Sequence, residues 1–353
     1  MTIEYQPRNL LVTGGAGFIG TNFVYYWLEQ YPDSRVVVLD ALTYAGTRSN
    51  LDALNDHPGF RFVEDTILNQ SLVEELLREE EIDTIVHFAA ESHVDRSIYG
   101  PDAFFETNIT GTHSLLKAAK KVWMDEEHLP EAHRFHHVST DEVYGTLGPG
   151  DPAFTEKTPY QPTSPYAASK ACSDHIVNSY FHTYGLQTTI SNCSNNYGPW
   201  QFPEKLIPLT ISNLLDGKPI PIYGDGQQIR DWLYVDDHNR GIELILNKGR
   251  VGETYNIGGN NEQANMSLVK QLCAEMNSRF PEAEHYPHES LITHVADRPG
   301  HDRRYAVDTA KITSELGYQP VETFETGMQK TLQWYLDNLA NWEVTVNLFG
   351  THG

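Results

Sequence analysis

Along the first half of the chain, short apolar runs alternate with longer segments in which apolar and polar residues mix at helical spacing. Residues 9–13 and 35–39 are apolar runs of strand length, and residues 18–30 between them carry the mixed pattern of a helix. Further strands are predicted over 61–63, 84–88, 133–138 and 188–190, and helices over 71–80, 101–121 and 166–184, the last stopped by Gly185. This alternation predicts an α/β fold: a doubly wound parallel sheet of the Rossmann type.

After about residue 193 the texture changes. Pro199, Pro203, Pro208, Pro219 and Pro221, interleaved with Gly198, Gly217, Gly224 and Gly226, predict irregular structure rather than another long βαβ run. The expected organisation is a Rossmann domain over 1–193 and a smaller mixed α/β substrate domain over 194–353, with segments around 228–248 returning to the first. Residues 324–340 read as a closing helix, and the stretch through Gly353 as weakly constrained.

Composition narrows the function. The 353 residues carry 48 acidic against 25 basic side chains, a formal net charge of −23. Such a surface repels a phosphate backbone, which excludes general nucleic-acid binding. It also repels a nucleotide-linked substrate, so such a ligand requires local arginines. Cys172, Cys193 and Cys273 are too far apart for a zinc knuckle or a C-x-x-C pair, and their odd number argues against a disulfide framework. No metal site is expected, and a reducing, cytoplasmic setting is. The start of the chain lacks the basic stretch and long apolar region of a signal peptide, and no run of about 18 apolar residues predicts a membrane span.

Gly14, Gly17 and Gly20 form G-x-x-G-x-x-G after the first strand and at the opening of a helix. Without side chains there, the turn is tight and backbone N–H groups are open to a pyrophosphate at the helix N-terminus. Alone this pattern is weak. Asp40 strengthens it, because a carboxylate at the end of the second strand accepts hydrogen bonds from adenosine ribose hydroxyls and repels a 2′-phosphate. NAD⁺ is therefore expected over NADP⁺, with Arg48 the nearby cation that would soften the preference.

Tyr166-Ala-Ala-Ser-Lys170 places a phenol and an ammonium one helical turn apart. A positive Lys170 favours the phenolate, so Tyr166 can accept a hydroxyl proton as hydride leaves the same carbon. By itself the pair also fits an ordinary surface or interface helix. Upstream, His137-Val-Ser-Thr-Asp-Glu-Val-Tyr-Gly145 runs off a central strand, where Ser139 or Thr140 can hydrogen-bond the reacting hydroxyl. A simple dehydrogenase needs no more.

Asp141 and Glu142 exceed that need. Adjacent carboxylates in a closed site can be driven apart in pKa, one kept as an acid and the other as a base. An elimination of water uses such a pair; the alternative is a solvated loop or a helix cap. Oxidising a sugar hydroxyl to a ketone acidifies the neighbouring C–H, so elimination follows naturally from hydride abstraction.

With these residues in place, the whole chain resembles the dTDP-glucose 4,6-dehydratase family of the extended short-chain dehydrogenase/reductase superfamily. The glycines and Y-x-x-x-K mark only the superfamily. The family resemblance rests on Leu42-Thr-Tyr-Ala-Gly46, His87-Phe-Ala-Ala-Glu-Ser-His-Val-Asp-Arg-Ser97, Ser139-Thr-Asp-Glu-Val-Tyr-Gly145, Ser194-Asn-Asn-Tyr-Gly-Pro199, Pro203-Glu-Lys-Leu-Ile-Pro208, Arg230-Asp-Trp-Leu-Tyr-Val-Asp236 and Asp297-Arg-Pro-Gly-His-Asp-Arg-Arg304. It implies oxidation at glucose C4, loss of water across C5 and C6, and hydride return to C6, giving dTDP-4-dehydro-6-deoxyglucose. By the same resemblance Tyr166 is the C4-hydroxyl base assisted by Thr140, Asp141 is the acid for the C6 hydroxyl, Glu142 removes the C5 proton, and Lys170 orients the nicotinamide ribose.

Carried over residue by residue, the cofactor side comprises Gly14, Gly17, Phe18, Ile19, Gly20, Asp40, Leu42, Thr43, Asp65, Thr66, Ile67, Ala89, Ala90, Thr107 and Asn196, with Tyr166 and Lys170. The sugar-nucleotide side comprises Ser92, Thr140, Asn195, Lys205, Leu206, Pro221, Tyr223, Arg230, Asn265, Arg298 and His301. Arg230 and Arg298 then supply the local positive field for a diphosphate. One departure stands out: Thr66 occupies a position where the family usually has Asp near the adenine, so that contact rests on the Thr66 hydroxyl or moves to Asp65. The resemblance also implies a homodimer packed through the helix near 107–120 and the helix carrying Tyr166. Leu115, Leu116, Ala118 and Ala119 fit that interface, or equally the parent sheet. The rival readings are a nucleotide-sugar 4-epimerase, which needs no Asp-Glu pair, a dehydratase for a GDP- or CDP-linked sugar, and a noncatalytic NAD-binding protein.

Overall fold

The computed structural model describes residues 5–126, 132–297 and 300–338. The order of elements begins β1 (Asn9–Thr13), α1 (Phe18–Gln30), β2 (Arg35–Asp40), β3 (Phe60–Glu64), α2 (Gln70–Glu79) and β4 (Thr84–His87). Then come α3 (Val94–Tyr99) and a helical run made of α4 (Asp102–Phe104), a π-helical turn over Phe105–Gly111, α5 (Thr112–Ala119) and a second π-helical turn over Lys120–Asp125. β5 (Arg134–Thr140), α6 (Pro165–Tyr184) and β6 (Thr188–Cys193) complete the first half.

α1 has the bounds its pattern predicts, and α6 ends on Gly185 in the left-handed conformation at φ 78°. The helix predicted to stop near residue 121 continues to Asp125. There the Glu126 N–H donates to Lys121 O at 3.0 Å, the five-residue spacing of a π turn. Buried Trp123 anchors the extension, its indole N–H donating to Ile82 O at 2.8 Å.

The second half contains β7 (Asn195–Tyr197), α7 (Leu206–Asp216), β8 (Ile220–Tyr223), β9 (Ile229–Tyr234), α8 (Val235–Lys248), β10 (Thr254–Ile257), β11 (Glu262–Ala264) and α9 (Asn265–Arg279). It ends with β12 (Ile292–Val295), β13 (Arg304–Tyr305), α10 (Ala310–Leu316) and α11 (Phe324–Asp337). The closing helix thus ends at Asp337; the expectations for residues 339–353 fall outside the described residues.

Seven parallel strands form the main sheet in the order β10-β6-β5-β4-β1-β2-β3. The chain winds outward in both directions from β1 and β4, which opens a crevice at their carboxyl ends where ligands of such sheets bind. One face of the sheet buries Phe23, Trp27, Ile242, Ile245 and Ile312 from α1, α8 and α10. The other buries Leu76, Leu115, Leu116 and Val177 from α2, α5 and α6. Leu115, Leu116, Ala118 and Ala119 are all fully buried in that second layer. They face the parent sheet and present nothing to a second copy.

Of residues 228–248, β9 lies in a smaller sheet with β7, β11 and β13, while α8 packs on α1. The chain returns a second time, as β10 takes the outer edge of the main sheet beside β6. The smaller layer has its own core, in which Ile207, Ile211, Leu268, Leu272, Phe324 and Leu332 from α7, α9 and α11 pack together.

Candidate active site

The cleft at the switch point is lined by the glycine loop, the end of β2, the segments after β3 and β4, the end of β5, the start of α6 and the segment after β6. Gly14 has φ +71°, and a Cβ on it would lie 2.6 Å from Ala89 N. A Cβ on Gly20 would lie 2.2 Å from Gly14 O. Both glycines are therefore demanded by close backbone approach. Gly17 caps α1 without a side-chain hydrogen bond, and the first turn carries no acidic residue, which leaves an anion-binding helix end.

Asp40 fixes the second strand's end: Oδ2 accepts from Ala16 N and Oδ1 from Leu42 N, both at 2.9 Å. Burial pushes its carboxyl up, against the pull of those two amides. Arg48 does not line the cleft; its guanidinium stacks over Phe62, 4.5 Å from the ring centroid. The cation that would have softened the NAD⁺ preference is thereby turned elsewhere.

All the cofactor-side residues expected from the sequence line this cleft except Leu42, which turns its side chain into the core beside α1 and offers Asp40 only its backbone N–H. Thr107 reaches the cleft from the π turn, where the widened helix also sends Asn108 Nδ2 to Ser169 Oγ at 2.8 Å. Asp65 and Thr66 are both lining residues. The Thr66 hydroxyl accepts from Leu68 N at 3.3 Å, and Asp65 Oδ1 accepts from Thr66 N at 2.6 Å.

Strand β5 delivers the chemical groups. Thr140 is its last residue and caps a short 3₁₀ turn, Asp141–Tyr144, accepting from Glu142 N at 3.3 Å. The cap is thus Thr140, not a carboxylate, and Asp141 is only 2% exposed, which excludes the solvated-loop reading. Burial, then the charge of Glu142, drives the Asp141 carboxyl well above its usual range. Tyr166 is buried at the cleft, which Thr140 also lines. Ser139 is different: its hydroxyl points inward and donates to Asp174 Oδ2 at 2.9 Å. Of the two hydroxyls the sequence offered, the structure gives Thr140 to the reacting centre.

Burial, then the charge of Glu142, holds Tyr166 in its phenol form. Lys170 is also buried; its ammonium donates to Val138 O at 2.8 Å, and burial pulls it down to about 8 against the opposing charge of Asp174. Asn195 Oδ1, Asp141 Oδ2 and Gln201 Oε1 are buried polar atoms on the cleft without a hydrogen-bond partner among the described residues. A polar ligand rich in hydroxyls would satisfy them.

The sugar-nucleotide residues divide in two. Ser92, Asn195 and Lys205 line the cleft, with Lys205 Nζ donating to Ser92 O at 3.3 Å. Others lie farther along the second half, Arg230 on β9 of the smaller sheet and Pro221 and Tyr223 on β8, which pairs with β12. Tyr223 meets His301 edge-on at 6.1 Å, and His301 Nδ1 lies 2.6 Å from Asp297 Oδ1. Gln228 donates to Asp297 Oδ2, and the Gln228 carbonyl accepts from the N–H of Asn265. Pro221 lies on β8 two residues from Tyr223, whereas Leu206 opens α7 and packs into the smaller core. Arg230 bridges the two groups: it donates to Asp302 O at 3.0 Å, stacks 4.2 Å over Tyr305, and its charge acts on Asp141. Arg298 lies outside the described residues.

Glu91, Tyr44, Gln201 and Glu204 also line the cleft and were not singled out from the sequence. Glu91 and Glu204 stand inside the segments His87–Ser97 and Pro203–Pro208 that carry the family resemblance, but the sequence does not show which way their side chains point.

The family model for GDP-mannose 4,6 dehydratase matches residues 11–331. A dTDP-glucose 4,6-dehydratase of Neisseria meningitidis serogroup B is 54% identical over 345 residues, 96% of each chain. The Escherichia coli K12 dTDP-glucose 4,6-dehydratase 1 is 51% identical over 93% of each. The solved structure of DesIV, a dTDP-glucose 4,6-dehydratase from Streptomyces venezuelae with NAD and TYD bound, superposes with a TM-score of 0.87 at 48% identity, covering 96% of this chain and 99% of that one. A Thermotoga maritima UDP-glucose 4-epimerase shares the fold at a TM-score of 0.81 but only 29% identity, over 94% and 99%. Fold and site together define an NAD-dependent nucleotide-sugar enzyme of the extended short-chain dehydrogenase/reductase type. Within that class, the chain belongs to the dTDP-glucose 4,6-dehydratase family.

Proposed function

We propose that this enzyme converts dTDP-glucose to dTDP-4-dehydro-6-deoxyglucose and water. The observation that carries the reading is the placing of Asp141, buried and acid-shifted, and Glu142 beside Tyr166 at the end of one strand. An epimerase has no use for that pair, and the 54% and 48% identities to dTDP-glucose dehydratases, against 29% to an epimerase, favour the same choice.

The glycine loop, Asp40, Thr66 and Thr107 fit NAD⁺, because the helix end takes a pyrophosphate and the carboxylate takes ribose hydroxyls. When bound, NAD⁺ supplies a hydride acceptor at C4, the hydride later returned to C6, and the positive charge of its ring. Tyr166, aligned by Thr140, takes the C4 hydroxyl proton. Its ionisation must be driven by positive charge, and Lys170 is the chain's own source. The C4 ketone acidifies the C5 hydrogen, which Glu142 removes while neutral Asp141 protonates the departing C6 hydroxide as water. Glu142 then returns its proton to C5 while O4 stays a ketone; the proton that Tyr166 took from O4 passes through solvent to re-protonate Asp141, so the site ends as it began.

Arg230, with Arg298, is assigned to the diphosphate, and the Tyr223, Asn265 and His301 patch to the nucleoside end. Residues 1–193 mainly serve the cofactor and 194–353 the sugar nucleotide, with segments around 228–248 returning to the first domain. Exposed Tyr99, Phe105 and Tyr184, at 88%, 41% and 47% exposure, support a homodimer through α3, the π turn and α6. Three free cysteines, and the absence among the described residues of a helix long and apolar enough to cross a membrane, support a cytoplasmic setting.

Product analysis with dTDP-glucose and NAD⁺ tests the proposal. A 4-dehydro-6-deoxy product carrying the C4 hydrogen at C6 is expected; formation of dTDP-galactose alone would overturn it.

A further inference from the structure

Behind the cleft lies a second set of ionisable groups that the reaction scheme leaves unused. Asp174 stands one helical turn beyond Lys170 on α6, and both Asp174 and His137 are fully buried. Asp174 Oδ2 accepts from Ser139 Oγ at 2.9 Å and from Tyr160 OH at 3.0 Å. Asp174 Oδ1 faces His137 Nε2 at 3.2 Å, and the same Nε2 lies 3.4 Å from Lys170 Nζ.

His137 is neutral, because burial and the Lys170 charge both disfavour its cation. Its Nδ1 has no hydrogen-bond partner among the described residues. The Lys170 ammonium can only donate, and the Nε2 it faces makes no hydrogen bond to Asp174, whose Oδ1 has no hydrogen-bond partner among the described residues. The neutral imidazole thus stands between the ammonium and the carboxylate without cancelling either charge.

We propose that Asp174, held by Ser139 and Tyr160, is the buried counter-ion that keeps Lys170 positively charged behind Tyr166. Asp174 is a positioning residue, because it acts through Lys170. The charge matters because a buried ammonium otherwise sheds its proton, and Tyr166 then loses the positive neighbour its ionisation needs. The groups facing this centre are few. Lys170 sees Asp174, His137 and the Cys193 thiol; Asp174 sees Lys170, His137, His175 and the two hydroxyls; and the His137 ring lies 5.1 Å from that of His87, tilted by 38°, with His87 itself neutral through burial. Asp174 is pushed up by burial to about 6 and Lys170 pulled down to about 8, so both groups are charged in the window between them.

The proposal rests on Tyr166 as the proton acceptor at C4, and two readouts separate the claims. Lysine labelled with ¹³C at Cε in the NAD-loaded enzyme reports the Lys170 protonation midpoint directly by NMR, and kcat against pH reports its effect. In Asp174→Asn the Lys170 midpoint should fall by about one pH unit, and the alkaline limb of kcat should fall with it while KM is kept. Should that variant fail to fold, Tyr160→Phe removes one donor to the carboxylate and should move the midpoint the same way by less. An unmoved midpoint in a folded variant overturns the proposal. Wild-type enzyme without turnover of dTDP-glucose, but with the midpoint shift intact, would instead overturn the functional reading alone.

Discussion

Asp141→Asn separates catalysis from stability at one residue. The wild-type carboxyl is 2% exposed, and burial together with the charge of Glu142 keeps it protonated far above its ordinary range. Asparagine has the same shape and the same neutral charge. Thr140 Oγ1 lies 3.4 Å from Asp141 Oδ1, while Oδ2 has no partner among the described residues, so either side chain leaves the same position unsatisfied. The substitution should therefore change stability by less than about 1 kcal/mol at acid pH, below the ordinary carboxyl value of 3.8, where both side chains are neutral in the folded and the unfolded chain.

The sign against pH is definite. The folded state binds the Asp141 proton more tightly than the unfolded chain, so wild type loses stability as pH rises from the ordinary carboxyl value of 3.8 towards the raised folded one. Each pH unit in that window costs about 1.4 kcal/mol, and the asparagine variant escapes this cost. Catalysis behaves oppositely, because an amide cannot protonate departing hydroxide. The loss of a general acid predicts a fall in kcat of about 10²–10⁴-fold, or roughly 3–5 kcal/mol of barrier. Thermal unfolding over a pH series, beside turnover of dTDP-glucose, measures both. A variant destabilised by more than about 2 kcal/mol at neutral pH, or one retaining wild-type kcat, would refute the view of Asp141 as a neutral buried acid.

Glu142→Gln should stop solvent exchange of the C5 hydrogen while C4 oxidation persists, with kcat down by about 10²–10⁴-fold; deuterium exchange into substrate checks it, and unchanged exchange removes Glu142 from its role. Gly20→Ala drives a methyl to within 2.2 Å of Gly14 O, and the loop shift this forces should weaken NAD⁺ binding by about 1–3 kcal/mol, or roughly 5- to 150-fold by calorimetry. Unaltered affinity would mean that the loop is not the pyrophosphate site. Trp27→Ala empties a fully buried site packed between Phe23 and Tyr31 and should lower unfolding stability by about 3–5 kcal/mol, read by denaturant titration. A cost under about 1 kcal/mol would show that the layer under α1 collapses to fill the space.

What the sequence by itself determined is local. α1 follows from apolar spacing and from glycines at its start; Tyr166 and Lys170 share a face because four residues make one helical turn; Asp141 and Glu142 are adjacent by covalent bond. Chain spacing alone fixes each of these relations. The tertiary structure decided the relations that depend on register and burial. Ser139 and Thr140 alternate across β5, so the strand's facing sends one hydroxyl to Asp174 and the other to the cleft. Leu115 and Ala118 were equally fit for a partner or a sheet until the rotation of α5 placed them under the sheet. The substrate residues came apart into a cleft group and an outer patch because the second half gathers segments as distant as β7, β9 and β13 into one small sheet and pairs β8 with β12 in another. The acidity of Asp141 and the pairing of Lys170 with Asp174 arise from exclusion of water, a property of the assembled fold that residue order does not encode.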